Sequence, residues 1–260
     1  MTREMDRSQD RARPAAARGG DRIRVDVFAN PDVAAEKAAA FIAAQVAPAV
    51  SARGRFLLAV SGGRTPWQML RALARAPLPW DRIHLFQVDE RVAPAGDPDR
   101  NATHLRACFE GTALGSDHIH AMPVEDADLD GAARRYAATL QELAGTPATL
   151  DLVHLGLGPD GHTASLVPND PVLAVTDRDV ALTGVYHERR RMTLTYPILN
   201  RARMILWLAT GSDKAEVLPR LRDGDPSIPG GRIRRSGALI IADQAAAARL
   251  AASETSEVQS

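Results

Sequence analysis

The chain is predicted to be an α/β protein, a mostly parallel open sheet with helices on both faces in a single domain. Three observations lead there. Short apolar runs alternate with stretches of helical spacing along most of the chain. Several of these runs discharge into glycine-bearing polar turns, the places where open α/β sheets keep their chemistry. A length of 260 residues with ordinary apolar and charged fractions buries one large core without forcing a second.

Residues 23–28 alternate as a strand, and Asn30-Pro31 then supplies an N-cap and a first-turn proline for an Ala-rich helix running towards Val46. Residues 56–60 are a buried strand ending in Ser61-Gly62-Gly63-Arg64-Thr65-Pro66, after which Trp67, Leu70 and Leu73 fall at helical spacing. A third strand, 83–88, ends at Asp89-Glu90-Arg91 and is followed by a polar loop and a helix over about 102–109. An amphipathic helix over 129–143 feeds a strand over 152–157. Further strands are expected at 204–208 and 239–242, with a helix opening at Ser212 between them and a surface loop over 223–231. The Ala-rich stretch 245–252 reads as a helix and the polar end from 253 as frayed; residues 1–22 read as a disordered tail, so the folded domain spans 23–252. The alternation is that of an open, Rossmann-like sheet.

Lys plus Arg balances Asp plus Glu at 32 each, so no global field recruits nucleic acid or an anionic membrane, and small-molecule recognition is expected. The N-terminal stretch has Glu4, Asp6 and Asp10 but no apolar h-region, unlike a signal peptide, and no uninterrupted run of about 18 apolar residues suggests a spanning helix. One cysteine, Cys108, precludes an internal disulfide framework and fits a reduced, cytoplasmic compartment. His84, His104, His118, His120 and His187 lack metal-ligand spacing, and His154, inside an apolar run, reads as a core histidine; no metal is expected.

Four loops carry chemistry. In Gly156-Leu-Gly-Pro-Asp160-Gly161-His162, Asp160 stands two residues from an imidazole whose tautomer it could fix, an arrangement that suits a general base and equally a capped strand-to-helix turn. Ser61, Gly62, Gly63, Arg64 and Thr65 lie between strand and helix, with Thr65 as cap and Pro66 in the first turn; free N–H groups there would face an anion, although neither the Walker nor the dinucleotide spacing is present. Lys214, in the first turn of the helix from Ser212, opposes the macrodipole unless an anion is near. Asp89 and Arg91 could meet sugar hydroxyls and phosphate or form a salt-bridged turn; Asn101 and Arg191 add polar groups nearby.

Taken in order, Ser61-Gly-Gly-Arg-Thr-Pro66, Val88-Asp-Glu-Arg91, Arg100-Asn101, Gly156-Leu-Gly-Pro-Asp-Gly-His-Thr-Ala-Ser-Leu166, Arg191-Met-Thr-Leu-Thr195 and Gly211-Ser-Asp-Lys-Ala215 resemble the 6-phosphogluconolactonase family over about 27–242. The glycine loop and the lysine are shared with the wider glucosamine-6-phosphate isomerase/deaminase superfamily. Pro159, Arg100 and Val167 depart from the family's usual acidic or polar, serine and aromatic residues.

The resemblance implies hydrolysis of 6-phospho-D-glucono-1,5-lactone without a cofactor, by a monomer or homodimer whose partner is the phosphorylated sugar lactone. By this resemblance His162 is the base, oriented by Asp160. Ser61 to Thr65, Arg91 or Arg191, and Lys214 hold phosphate; Asp89 and Asn101 contact hydroxyls or the tetrahedral centre, and Gly161 is counted among the substrate-binding residues. An amino-sugar-phosphate isomerase/deaminase is the nearest alternative, disfavoured because Val167 stands where those enzymes carry a glutamate. A sugar-phosphate sensor ranks third, since residues 1–22 are too short and polar for a helix-turn-helix.

Overall fold

The computed structural model describes residues 22–250 and the backbone of 256–257. The expected tail over 1–21 and the remainder of the C-terminal segment lie outside the described residues. An eight-stranded sheet, parallel throughout, has the order β11-β1-β10-β9-β6-β2-β3-β5. Its strands are β1 (Arg24–Phe28), β2 (Phe56–Val60), β3 (Ile83–Gln87), β5 (Ile119–His120), β6 (Leu152–Gly156), β9 (Met204–Ala209), β10 (Ala238–Asp243) and β11 (Ser256–Glu257). The helices are α1 (Pro31–Arg53), α2 (Arg64–Ala74), α3 (Asn101–Cys108), α4 (Leu129–Ala144), α5 (Tyr196–Arg201) and α6 (Leu218–Asp223).

Strand side chains alternate between two cores, as the pleat requires. Leu58, Val60, Leu85, Leu206 and Ile241 face α1, α2 and α3 through Ile42, Met69, Leu70 and Leu105. Leu57, Ala59, Phe86, Val153, Leu155 and Trp207 face the opposite side, against Tyr136 and Leu140 of α4, Ile198 of α5 and Leu218 of α6. Asn30 caps α1 by accepting from the Val33 N–H at 3.0 Å, and Gly54 ends it at φ 75°. By length and composition alone α1 could cross a membrane, although Glu36, Lys37 and Gln45 break its apolar sequence into short runs. In the fold, Ala34, Ala35, Ala38, Ile42 and Val46 pack against the sheet.

From β2 the chain proceeds outward to β3 and β5, then returns to β6 on the other side of β2 and continues to β9 and β10. The reversal opens a crevice beyond the carboxyl ends of β2 and β6, the position where such sheets bind ligands.

Six local expectations are corrected. The third strand stops at Gln87; the chain leaves the sheet, and Asp89–Arg91 (β4) pairs antiparallel with Arg191–Leu194 (β8), which pairs with Val180–Leu182 (β7) in a separate three-stranded sheet. α2 begins at Arg64 with Gly63 as its cap, so Thr65 and Pro66 lie inside the first turn. The segment from Ser212 is one 3-10 turn, Ser212–Lys214, with α6 starting only at Leu218. Residues 244–249 form hydrogen-bonded turns where a helix was expected, and Ser256–Glu257, expected to fray, pairs with Asp26–Val27. The loop over 223–231 is not merely surface: Ile228, Pro229 and Gly230 are buried.

Candidate active site

The turn after β6 is built around His162. A carboxylate can only accept, so the 2.6 Å contact between Asp160 Oδ1 and His162 Nδ1 places the ring proton on Nδ1 and leaves Nε2 for the cleft. The same oxygen accepts from the His162 backbone N–H at 3.1 Å. Burial alone would raise the Asp160 carboxyl, but the His162 charge and these two hydrogen bonds outweigh it and hold it below its ordinary value. The turn closes through Gly158 N–H to His162 O at 2.8 Å and is braced from the 223–231 loop, where the Gly230 N–H donates to Gly161 O at 2.9 Å. Gly161 has φ 82°, and a Cβ there would sit 2.5 Å from Ile228 Cβ.

Facing it, β4 and β8 present a fixed polar cluster. Asp89 Oδ2 accepts from the Ser165 hydroxyl at 2.6 Å and lies 4.0 Å from the Arg191 guanidinium. Asn101 Nδ2 donates to Asp89 O at 3.0 Å, while its Oδ1 accepts from Arg91 at 2.8 Å. Beneath them Glu90, fully buried, accepts from the N–H groups of Arg91, Asn101 and Ala102 and from Gln87, and pairs with buried Arg100 at 3.1 Å. Arg91 Nε and Arg191 Nε are buried with no hydrogen-bond partner among the described residues. Burial pushes the Arg191 guanidinium below its ordinary value; Asp89 opposes this and Arg91 adds to it. Two crowded cations with free donors favour an anionic or oxyanionic guest.

His162, Asp89, Arg91, Asn101, Arg191, Ser61, Gly62 and Lys214 line one cleft of about 200 Å³. Lys214 and Gly62 also line an adjoining groove with Gly63, Arg64, Thr65 and Thr210, at the N-terminus of α2. The first-turn amides of α2 have no intrahelical acceptor, so this groove also suits an anion. Lys214 is not in an α-helical first turn; its Nζ pairs with Asp213 at 2.6 Å, so the expected clash with a macrodipole is absent.

The glucosamine-6-phosphate isomerase/6-phosphogluconolactonase family model matches residues 29–241. The chain belongs to this family. It is 37% identical over 236 residues to a 6-phosphogluconolactonase of Synechocystis sp., covering 87% of this chain and 98% of that one. In fold it is similar to a 6-phosphogluconolactonase from Trypanosoma cruzi (TM-score 0.80, 24% identity, 88% of this chain and 97% of that one). It is also similar in fold to a monomeric glucosamine-6-phosphate deaminase (TM-score 0.75, 18% identity, 87% and 100%).

Within this isomerase/lactonase scaffold the predicted residues divide by position. Asp160 stands behind His162, and Gly161 shapes the turn without entering the cleft lining. Ser61 lines the cleft, but its hydroxyl donates to His154 O at 3.2 Å and accepts from the Gly156 N–H at 3.3 Å, tying β2 to β6. Thr65 Oγ1 bonds Thr210 Oγ1 at 2.7 Å, joining two loops of the groove. Arg100, the family departure beside Asn101, is consumed by Glu90 and Glu125. Sequence reasoning missed Ser165, the support given by Glu90, and Tyr186, whose hydroxyl reaches Asp160 Oδ2 at 3.4 Å. Ser165 stood in the quoted motif, and its buried neighbours were the missing signal; Tyr186 had none. His84, His118 and His120 form a ring stack at the β3–β5 edge, yet no group of three or more His, Cys, Asp or Glu among the described residues could hold a metal.

Proposed function

We propose that this chain hydrolyses 6-phospho-D-glucono-1,5-lactone to 6-phospho-D-gluconate, the second step of the oxidative pentose phosphate pathway, in the cytoplasm and without a cofactor. The observation that carries the chemistry is the Asp160–His162 pair, held at 2.6 Å with the imidazole lining a cleft that opens onto the groove at the N-terminus of α2, where Arg64 and Lys214 stand beside Asp32 and Asp213.

His162 Nε2 takes a proton from water as the oxygen attacks the C1 carbonyl. The tetrahedral oxyanion then collapses, the C1–ring-oxygen bond breaks, and the imidazolium returns its proton to the departing oxygen. Asp160 fixes the tautomer and stabilises the transient imidazolium. The phosphate lies in the groove against Lys214, Arg64, Thr65 and the amides of Gly62 and Gly63. Arg91 and Arg191, with unused Nε donors, serve the oxyanion or the phosphate. Asn101 and Asp89 meet hydroxyls. Asp89 is a poor rival as base because Ser165 and Asn101 already engage both its oxygens.

The buried, apolar position of Val167 offers no carboxylate for the ring opening expected of a deaminase. Purified protein tested for lactone disappearance, with spontaneous hydrolysis subtracted, beside ammonia release from glucosamine 6-phosphate separates the two activities. Lactone turnover without ammonia is the expected result.

A further inference from the structure

Tyr186 sits at the tip of the hairpin joining β7 and β8. The hairpin continues past the strands through Thr183 N–H to Arg191 O at 2.9 Å and closes where the Tyr186 N–H donates to Arg189 O at 3.0 Å. The two residues of the turn, His187 and Glu188, both have left-handed backbone, at φ 48° and 63°. Such turns favour asparagine and glycine, so this pair is held in an unfavourable conformation that presents Tyr186 inward.

Three contacts converge on that side chain. Its hydroxyl donates to Asp160 Oδ2 at 3.4 Å, the oxygen left over by His162. Its ring meets the His162 ring edge-on, at 5.7 Å between centroids and 66° between planes. The Arg191 guanidinium stands over its face, 5.0 Å from the centroid.

We infer that Tyr186 is a positioning residue for the hydrolysis, orienting the Asp160–His162 pair by hydroxyl and ring contact and coupling it to Arg191. This rests on His162 acting as the base. Besides Asp160 on its own loop, the charged groups sharing the cleft with His162 are Arg191 on β8, Asp89 and Arg91 on β4, and Lys214 after β9. The sign of the hydroxyl's effect follows: a donor on Oδ2 draws negative charge from the carboxylate, so removing it lets Asp160 hold the imidazolium more tightly. The base is then protonated over a wider acid range.

The test is Tyr186→Phe and Tyr186→Ala, with His162→Asn as reference, measured as kcat, KM and the pH dependence of lactone hydrolysis after subtraction of the spontaneous rate. Tyr186→Phe is expected to lower kcat about 3- to 10-fold, with KM and Tm unchanged and the acid limb of kcat/KM moved to higher pH. Tyr186→Ala is expected to lose about a further tenfold and to raise KM, because the Arg191 contact goes as well. If His162→Asn is inactive while both Tyr186 variants keep the wild-type kcat and acid limb, the inference is overturned alone. It is also overturned if they lose activity only in proportion to lost folded protein, with the acid limb unmoved. A His162→Asn protein with full activity removes the base assignment and this inference with it.

Discussion

At His162, size and proton transfer separate cleanly. His162→Asn keeps much of the side chain's volume and a hydrogen-bonding group near Asp160 but no titrating nitrogen, so kcat is expected to fall by roughly 10²–10⁴ while KM changes little. A folded variant with near wild-type kcat would refute the assignment. Lys214 is expected to behave oppositely. It lines both cleft and groove, and in the proposed reading its contact with a phosphate remote from C1 would be made equally in ground and transition states. Lys214→Ala should therefore raise KM for the phosphorylated lactone and leave kcat nearly intact; a large fall in kcat at constant KM would move the lysine to the reacting centre.

At the scale of the element, the turn after β6 works because two of its positions have no side chain. A Cβ on Gly158 would lie 2.1 Å from His162 Nδ1 and 2.7 Å from Asp160 Oδ1. Gly158→Ala must therefore push the imidazole off its partner, and we expect at least a tenfold loss of kcat in a protein whose circular dichroism and Tm stay close to wild type. Unaltered kcat would mean that the pair tolerates displacement. This turn was legible in the sequence because a continuous apolar run ended abruptly in Gly156, Gly158, Gly161 and a neighbouring acid and imidazole. The antiparallel sheet was not. Asp89–Arg91 and Val180–Leu182 are three residues each, too short to show a period; Asp89–Arg91 finds its partner, Arg191–Thr193, only about a hundred residues on, while Val180–Leu182 joins the sheet through the hairpin to β8. The same limit hid Tyr186, whose importance comes from a hairpin tip folding over a distant loop, and led the 3-10 turn at Lys214 to be read as a helix start.

For the whole molecule, the buried histidine at the centre of the sheet makes stability depend on acid. His154 on β6 is fully buried; its Nδ1 accepts from the Ser61 N–H at 3.3 Å and Nε2 has no partner among the described residues. Burial pushes it down from 6.5 to about 3. Between those values the unfolded chain binds the proton and the folded one does not, so stability rises with pH across this window and is lost as pH falls from 6.5 towards 3. At about 1.4 kcal/mol per pH unit, the loss from this one group is roughly 2 kcal/mol by pH 5. His154→Leu is expected to flatten the fall in urea-unfolding free energy between pH 7 and 5 by about that amount. Equal slopes for the two proteins would show that His154 is not the group responsible.

The placement of β1 has a consequence for synthesis. Among the described residues of the main sheet, β1 bonds only to β10 and β11, both about two hundred residues further along the chain. On the ribosome, residues 24–28 emerge first among the described strands, and none of the described strands pairs with them until residues 238–243 follow. Though made well before β10, β1 is thus among the last of the described strands to be paired, and its edge lacks a partner until then. A nascent chain halted before β10 can assemble β2, β3 and β6 around the future cleft, yet it carries β1 as a loose, pairing-competent ribbon.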